Sequence, residues 1–122
     1  MFEHLLNKIE TLSELERASE DKISKLKLDI PNLPDDYLEF IKTIGFGNLS
    51  DIQLYGEPVP PRYIYGDRLG LESIVLFGDD FQGYCFGFDI NDGCRVVEVS
   101  PKGEVDKSVE PSFKSLMEGY FS

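Results

Sequence analysis

Gly83-Tyr84-Cys85-Phe86-Gly87-Phe88-Asp89-Ile90, then Asn91-Asp92-Gly93, then Cys94-Arg95-Val96-Val97-Glu98-Val99 is the stretch that decides the fold. Tyr84, Phe86 and Phe88 alternate with Cys85, Gly87 and Asp89, which is the period-two pattern of a strand whose two faces differ. Asn-Asp-Gly offers residues that tolerate left-handed backbone and so predicts a hairpin turn. Residues 95–99 then return as the antiparallel partner. With a loop of two or three residues, Cys94 would face Asp89 or Ile90 and Cys85 would lie opposite Glu98 or Val99. The two thiols are then too far apart to bridge, and reduced, mostly buried cysteines are expected.

Outward from this hairpin, Pro101-Lys102-Gly103 predicts a further turn, and Ser112 caps a closing helix with Phe113, Leu116, Met117 and Tyr120 inward. Before the hairpin, residues 73–77 form a short apolar strand. Residues 57–70 contain Pro58, Pro60 and Pro61 and are expected to be a loop with a short edge strand around Tyr63-Ile64-Tyr65. Residues 51–55 alternate, with Ile52 and Leu54 on one side. The clearest helix opens at Leu33-Pro34-Asp35-Asp36-Tyr37. Its proline suits the first helical position, its aspartates suit the positive helix end, and Gly45 closes it. Ser19 caps a shorter helix that buries Ile23 and Leu26 and stops before Pro31. Phe2, Leu5, Leu6, Ile9 and Leu12 fall within an arc of about 120°, the stripe of an amphipathic first helix. Helices, an antiparallel meander and a closing helix make one α+β domain over residues 1–122: N-terminal helices and a C-terminal helix packed on a twisted antiparallel sheet.

The 122 residues carry 23 acidic and 12 basic side chains, for a net charge of −11. Such a surface repels phosphate backbones and anionic membranes, so no nucleic-acid or membrane partner is expected. It either steers a basic partner or simply keeps the chain soluble. Neither a spanning apolar run nor a basic-then-apolar leader is present, which points to the cytosol.

The chemical inventory is thin. His4 is the single histidine, and one His with two separated Cys gives no zinc-ligand spacing. Asp79-Asp80 is the most tempting carboxylate pair, but a turn rich in Asp and Gly explains it as well. Residues 89–93 fail the calcium-loop pattern, because Cys94 and Ser100 stand where Gly and Glu are needed. Gly45-Phe46-Gly47 follows a helix and does not open one, so it is no phosphate cradle. No catalytic residue, cofactor or metal site is expected, and the chain reads as a non-enzyme. The remaining candidates are Tyr63, Tyr65, Asp67, Asp79, Asp80, Phe81 and Tyr84. Aromatic anchors within an acidic rim suit a protein-binding patch, while half or more of the rings, Tyr84 especially, could instead be core.

The order of motifs resembles the SUKH superfamily, which includes relatives of the yeast cell-wall-synthesis regulators and many bacterial proteins. Leu33-Pro34-Asp35-Asp36-Tyr37-Leu38-Glu39-Phe40-Ile41 followed by Gly45-Phe46-Gly47-Asn48-Leu49 is similar to its "L-P-x-x-Y-x-x-F-L … N-G" opening. Here Gly-Phe-Gly-Asn stands in place of the usual Asn-Gly. Residues 74–80, 84–89 and 96–98 resemble its central strands, and Ser112-Phe113 with Leu116 its closing helix. The likeness runs from about Ser19 to Tyr120. It implies helices on a twisted antiparallel sheet. For bacterial members it implies a cytosolic immunity protein that binds and neutralises a cognate toxin, and for the eukaryotic branch a non-enzymatic regulatory scaffold. A nuclease is the class of toxin that an acidic inhibitor suits, because basic clefts attract it. A monomer or weak dimer is expected.

Overall fold

A computed structural model describes residues 15–49, 52–66, 70–106 and 112–121. The amphipathic helix expected around residues 2–12, together with His4, lies outside them, as do Asp67 and the side chain of Tyr120. The described residues form helices α1 (Glu20–Asp29), α2 (Asp35–Thr43), α3 (Arg62–Tyr65) and α4 (Phe113–Phe121). Their strands are β1 (Gly47–Asn48), β2 (Gln53–Val59), β3 (Ile74–Asp79), β4 (Cys85–Asp89), β5 (Arg95–Val99) and β6 (Val105–Asp106). All six strands pair antiparallel in sequence order, so the sheet is a meander and the α+β class holds. No helix among the described residues is long and apolar enough to cross a membrane.

The helices α1, α2 and α4 start within a residue of where the sequence places them. Ser19 Oγ accepts the Lys22 amide at 3.1 Å, with Glu20 and Asp21 in the first turn of α1. Pro34 sits at the N-cap of α2, one position earlier than expected. Gly45 ends that helix at φ +127°, its N–H donating to Phe40 O. A Cβ there would stand 2.8 Å from the Glu16 carbonyl oxygen. Gly45 therefore answers both the backbone angle and the close passage of the N-terminal segment, which bridges Glu16 to Phe46. At the other end of the chain, Ser112 Oγ accepts the Ser115 amide, as its capping role requires.

Alternation along the strands divides the apolar residues between two faces. Leu54, Phe77, Phe86, Phe88 and Val96 face α1, α2 and α4 in the main core. There Phe77 stacks on Phe88 at 4.5 Å, and Tyr37 meets Phe88 and Phe113 edge-on at 5.3 and 5.2 Å. Ile74, Leu76, Cys85, Val97 and Val99 face the other way, against Leu71 and part-buried Tyr55, Val59 and Tyr65. The side away from α1, α2 and α4 is thus a second, smaller apolar layer, which α3 joins through Tyr65.

Tyr37 is fully buried, yet its hydroxyl has no hydrogen-bond partner among the described residues. Burial, and then the negative charge of Glu57, push this phenol above its ordinary ionisation range. Removing only the oxygen should therefore stabilise the fold: Tyr37→Phe is expected to add about 1 kcal/mol. Urea denaturation reads this directly, and a loss of stability would show that the hydroxyl contributes more than its desolvation costs.

One expectation needs correction. Tyr63-Ile64-Tyr65 is not an edge strand but the one-turn helix α3, because Pro61 at φ −58°, ψ −26° already holds helical backbone. The strand instead lies upstream and runs through Pro58. Leu54 pairs with Gly78 and Val59 with Leu76, so residues 55–58 stand against Phe77 alone. In that irregular stretch Pro58 removes no ladder hydrogen bond. The hairpin takes the second of the two registers expected, with Cys85 opposite Val99 and Asp89 opposite Arg95. Its loop is a 3-10 turn, Ile90–Asp92, followed by Gly93 and Cys94 in left-handed conformation. Asp89 Oδ1 accepts the Asn91 amide and winds the chain into that turn. Cys85 does pair with Val99, and both cysteines are free and buried.

Candidate functional site

On the face away from α1, α2 and α4, the arch of β2 away from β3 leaves an open groove of about 820 Å³. Its floor is Tyr55, Asp79 and Cys85; Val59, Tyr63, Ile64 and Phe81 form its sides. Five large apolar side chains are exposed among the described residues: Leu28 (81%), Tyr63 (69%), Phe81 (50%), Ile64 (47%) and Tyr84 (40%). Three of these five line this one groove, and Tyr84 belongs to the same β3–β4 turn as Phe81. Concentration of this kind distinguishes a patch from scattered surface hydrophobes.

A β-bulge puts Asp79 on this face. Leu76 pairs with Gly87 and Gly78 with Phe86, which leaves Phe77 as the extra residue. Without that insertion, alternation would turn Asp79 toward the helices. With it, Asp79 pairs with Cys85 and points with it into the groove. Its carboxylate accepts the Tyr55 hydroxyl at 2.6 Å, the Gln53 side-chain amide at 3.0 and 3.2 Å, and the Phe81 N–H at 2.9 Å. Asp80 serves the backbone instead, for its Oδ1 accepts the amides of Gln82 and Tyr84 and closes the turn. The adjacent carboxylates are therefore divided between two roles. Among the described residues, no group of three or more His, Cys, Asp or Glu is placed to hold a metal ion.

Tyr55 and Cys85 of the floor, and Tyr65 beneath it, are held in their neutral state. Burial, and then the bond to Asp79, raise the Tyr55 phenol above its ordinary range. Burial raises Tyr65 likewise, and its hydroxyl donates to Val99 O at 3.0 Å. Burial also pushes the Cys85 thiol up, although hydrogen bonding from Tyr65 and Tyr55 pulls the other way. The thiol is thereby held protonated and packs with the second apolar layer.

Of the seven candidates read from the sequence, the structure brings Tyr63, Asp79 and Phe81 together around the groove. Tyr84 is exposed beside it, Asp80 builds the turn, and Tyr65 is drawn beneath into the second apolar layer. Asp67 lies outside the described residues. Sequence reading passed over Ile64 and the floor residues Gln53, Tyr55 and Cys85. Gln53 and Tyr55 alternate with Ile52 and Leu54, and that period was the available signal.

Phe81 adopts φ +65°, a left-handed conformation that costs a residue with a Cβ roughly 1–2 kcal/mol. Asparagine tolerates this region far better than a bulky ring. Phe81→Asn is therefore expected to raise stability by about 0.5–1 kcal/mol in thermal or urea unfolding, although it removes a large apolar side chain. A destabilised variant would mean that the ring is held by packing within its own chain.

No family model matches the sequence, and no curated protein matches it.

Proposed function

We propose that this protein works by binding another protein through the groove-bearing face of its sheet, as a cytosolic immunity protein of the SUKH type that neutralises a toxin domain. The observation that carries this reading is the clustering of Tyr63, Ile64 and Phe81 around one groove on that face. Exposed apolar rings surrounded by polar surface supply affinity at interfaces, where a few aromatic anchors dominate binding. The net charge of −11 favours a basic partner, such as a nuclease, over an acidic one. The resemblance of the Leu-Pro-Asp-Asp-Tyr helix and the strands that follow it to the SUKH superfamily supplies the toxin as the class of partner.

The test is co-expression with the toxin domain encoded beside this chain. Protection of the cell, together with a one-to-one complex of the purified proteins, is the expected result. Absence of both protection and complex removes the reading. If charge guides the encounter, the association rate should fall steeply as salt is raised, because exposed charges are screened beyond about 8 Å at 0.15 M. A rate indifferent to salt would leave the acidic surface a role in solubility alone.

A further inference from the structure

We propose that the groove seats a cationic side chain, arginine above all, carried on an apolar segment of the partner protein. This rests on the protein-binding reading above and specifies the chemistry of its contact. Among the described residues, Asp79 is the one charged side chain lining the groove, and it sits among Val59, Tyr63, Ile64 and Phe81. Its hydrogen bonds come from Tyr55, Gln53 and the Phe81 amide, which are neutral donors. They fix the carboxylate in place and leave its charge uncompensated, for it has no ion pair among the described residues.

The choice of occupant follows from the cost of covering that charge. An aliphatic or uncharged segment lying in the groove would strip water from Asp79 and give no counter-charge in return. An acidic segment, including a second copy of this chain at −11, adds repulsion. A cation pairs with the carboxylate while its methylene stem covers the apolar sides. Arginine is favoured over lysine because a planar, weakly hydrated guanidinium also stacks on aromatic rings. The rim already shows this contact: the Arg62 guanidinium lies 5.7 Å from the centroid of the Tyr63 ring.

The test uses the whole chain, isotopically labelled, and two tripeptides with blocked ends, Leu-Arg-Leu and Leu-citrulline-Leu. Citrulline keeps the shape of arginine and removes its charge. The arginine peptide is expected to shift the amide resonances of Gly56, Ile64, Phe81 and Gly83 saturably. Citrulline should bind at least about tenfold more weakly, the scale of one charge-assisted contact. Tyr63→Ala and Asp79→Asn should each weaken the arginine peptide. Tyr63→Ala alters an exposed residue, so it remains informative even if Asp79→Asn fails to fold. Equal binding of the two peptides, shifts confined to another face, or no shift into the millimolar range would each overturn the proposal. If the toxin is still bound and neutralised in that case, only the arginine contact has failed. If the toxin itself is not bound, the broader reading fails instead.

Discussion

Phe113→Ala is expected to lower the free energy of unfolding by about 4 kcal/mol. Phe113 is the first residue of α4, is fully buried, and touches rings from three elements: Tyr37 and Phe40 of α2 at 5.2 and 5.4 Å, Phe77 of β3 at 5.4 Å, and Phe88 of β4 at 6.4 Å. Truncation removes the apolar transfer term and opens a cavity whose other walls are aromatic rings, which relax poorly. Domains of this size have roughly 5–15 kcal/mol to lose, so the variant should be partly unfolded at physiological temperature. Phe113→Leu, which keeps most of the volume, should cost about 1.5 kcal/mol or less. Urea denaturation of the two variants beside the parent decides the matter. A difference between alanine and leucine of under about 1 kcal/mol would mean that the ring cluster does not hold α4 to the sheet. The groove lies on the opposite face, so the fraction of Phe113→Leu that is folded should bind a partner as the parent does.

That separation of faces was legible in the sequence wherever the chain alternates cleanly. Phe86 and Phe88 against Cys85 sort correctly onto the two sides. The capping signals at Ser19, Pro34, Gly45 and Ser112 were legible too, because caps are local chemistry. What could not be read is what depends on residues distant along the chain. By sequence, Asp36 serves the dipole of its own helix. Its Oδ2 in fact accepts the Lys114 amide at the start of α4, a bond between the first motif and the last helix. The groove was hidden for a similar reason. It arises where four residues of β2 bow past one residue of β3, and nothing in residues 55–58 alone announces that mismatch. The exposed aromatics were found because turns beside strands tend to expose their side chains. Tyr65 escaped that logic, since a helical turn at 62–65 rotates it inward where a strand was expected.

Gly78→Ala should be nearly as damaging as the loss of Phe113, and it should reach the groove as well. A Cβ at Gly78 would collide with the Gln53 carbonyl oxygen, a backbone atom of the neighbouring strand that cannot rotate away. The strands must part or the bulge must shift, at an expected cost of about 3 kcal/mol. Gly119 is the control. It lies in α4, where an added Cβ would meet nothing within 4 Å, so Gly119→Ala should add up to about 1 kcal/mol. The consequence for the site follows from register. Gly78 pairs with Leu54, and the adjacent Asp79–Gln53 pair carries the bonds from Gln53 and Tyr55 to the carboxylate. If β2 and β3 separate there, the Tyr55 hydroxyl loses both its burial and its bond to Asp79, the two largest causes that raise its ionisation. A phenol whose folded value is raised contributes stability below its ordinary value of 10.0, and that contribution is lost as the pH climbs toward the folded value. Ultraviolet titration should therefore show the parent's Tyr55 resisting ionisation until the chain unfolds in alkali, while Gly78→Ala releases an extra tyrosinate at lower pH. Tyr55→Phe in the same background identifies the phenol, because the early step should then vanish. If Gly78→Ala unfolds with the parent's midpoint and titrates as the parent does, the bulge is not what places Asp79, and the groove owes its charge to something other than the register of β2 and β3.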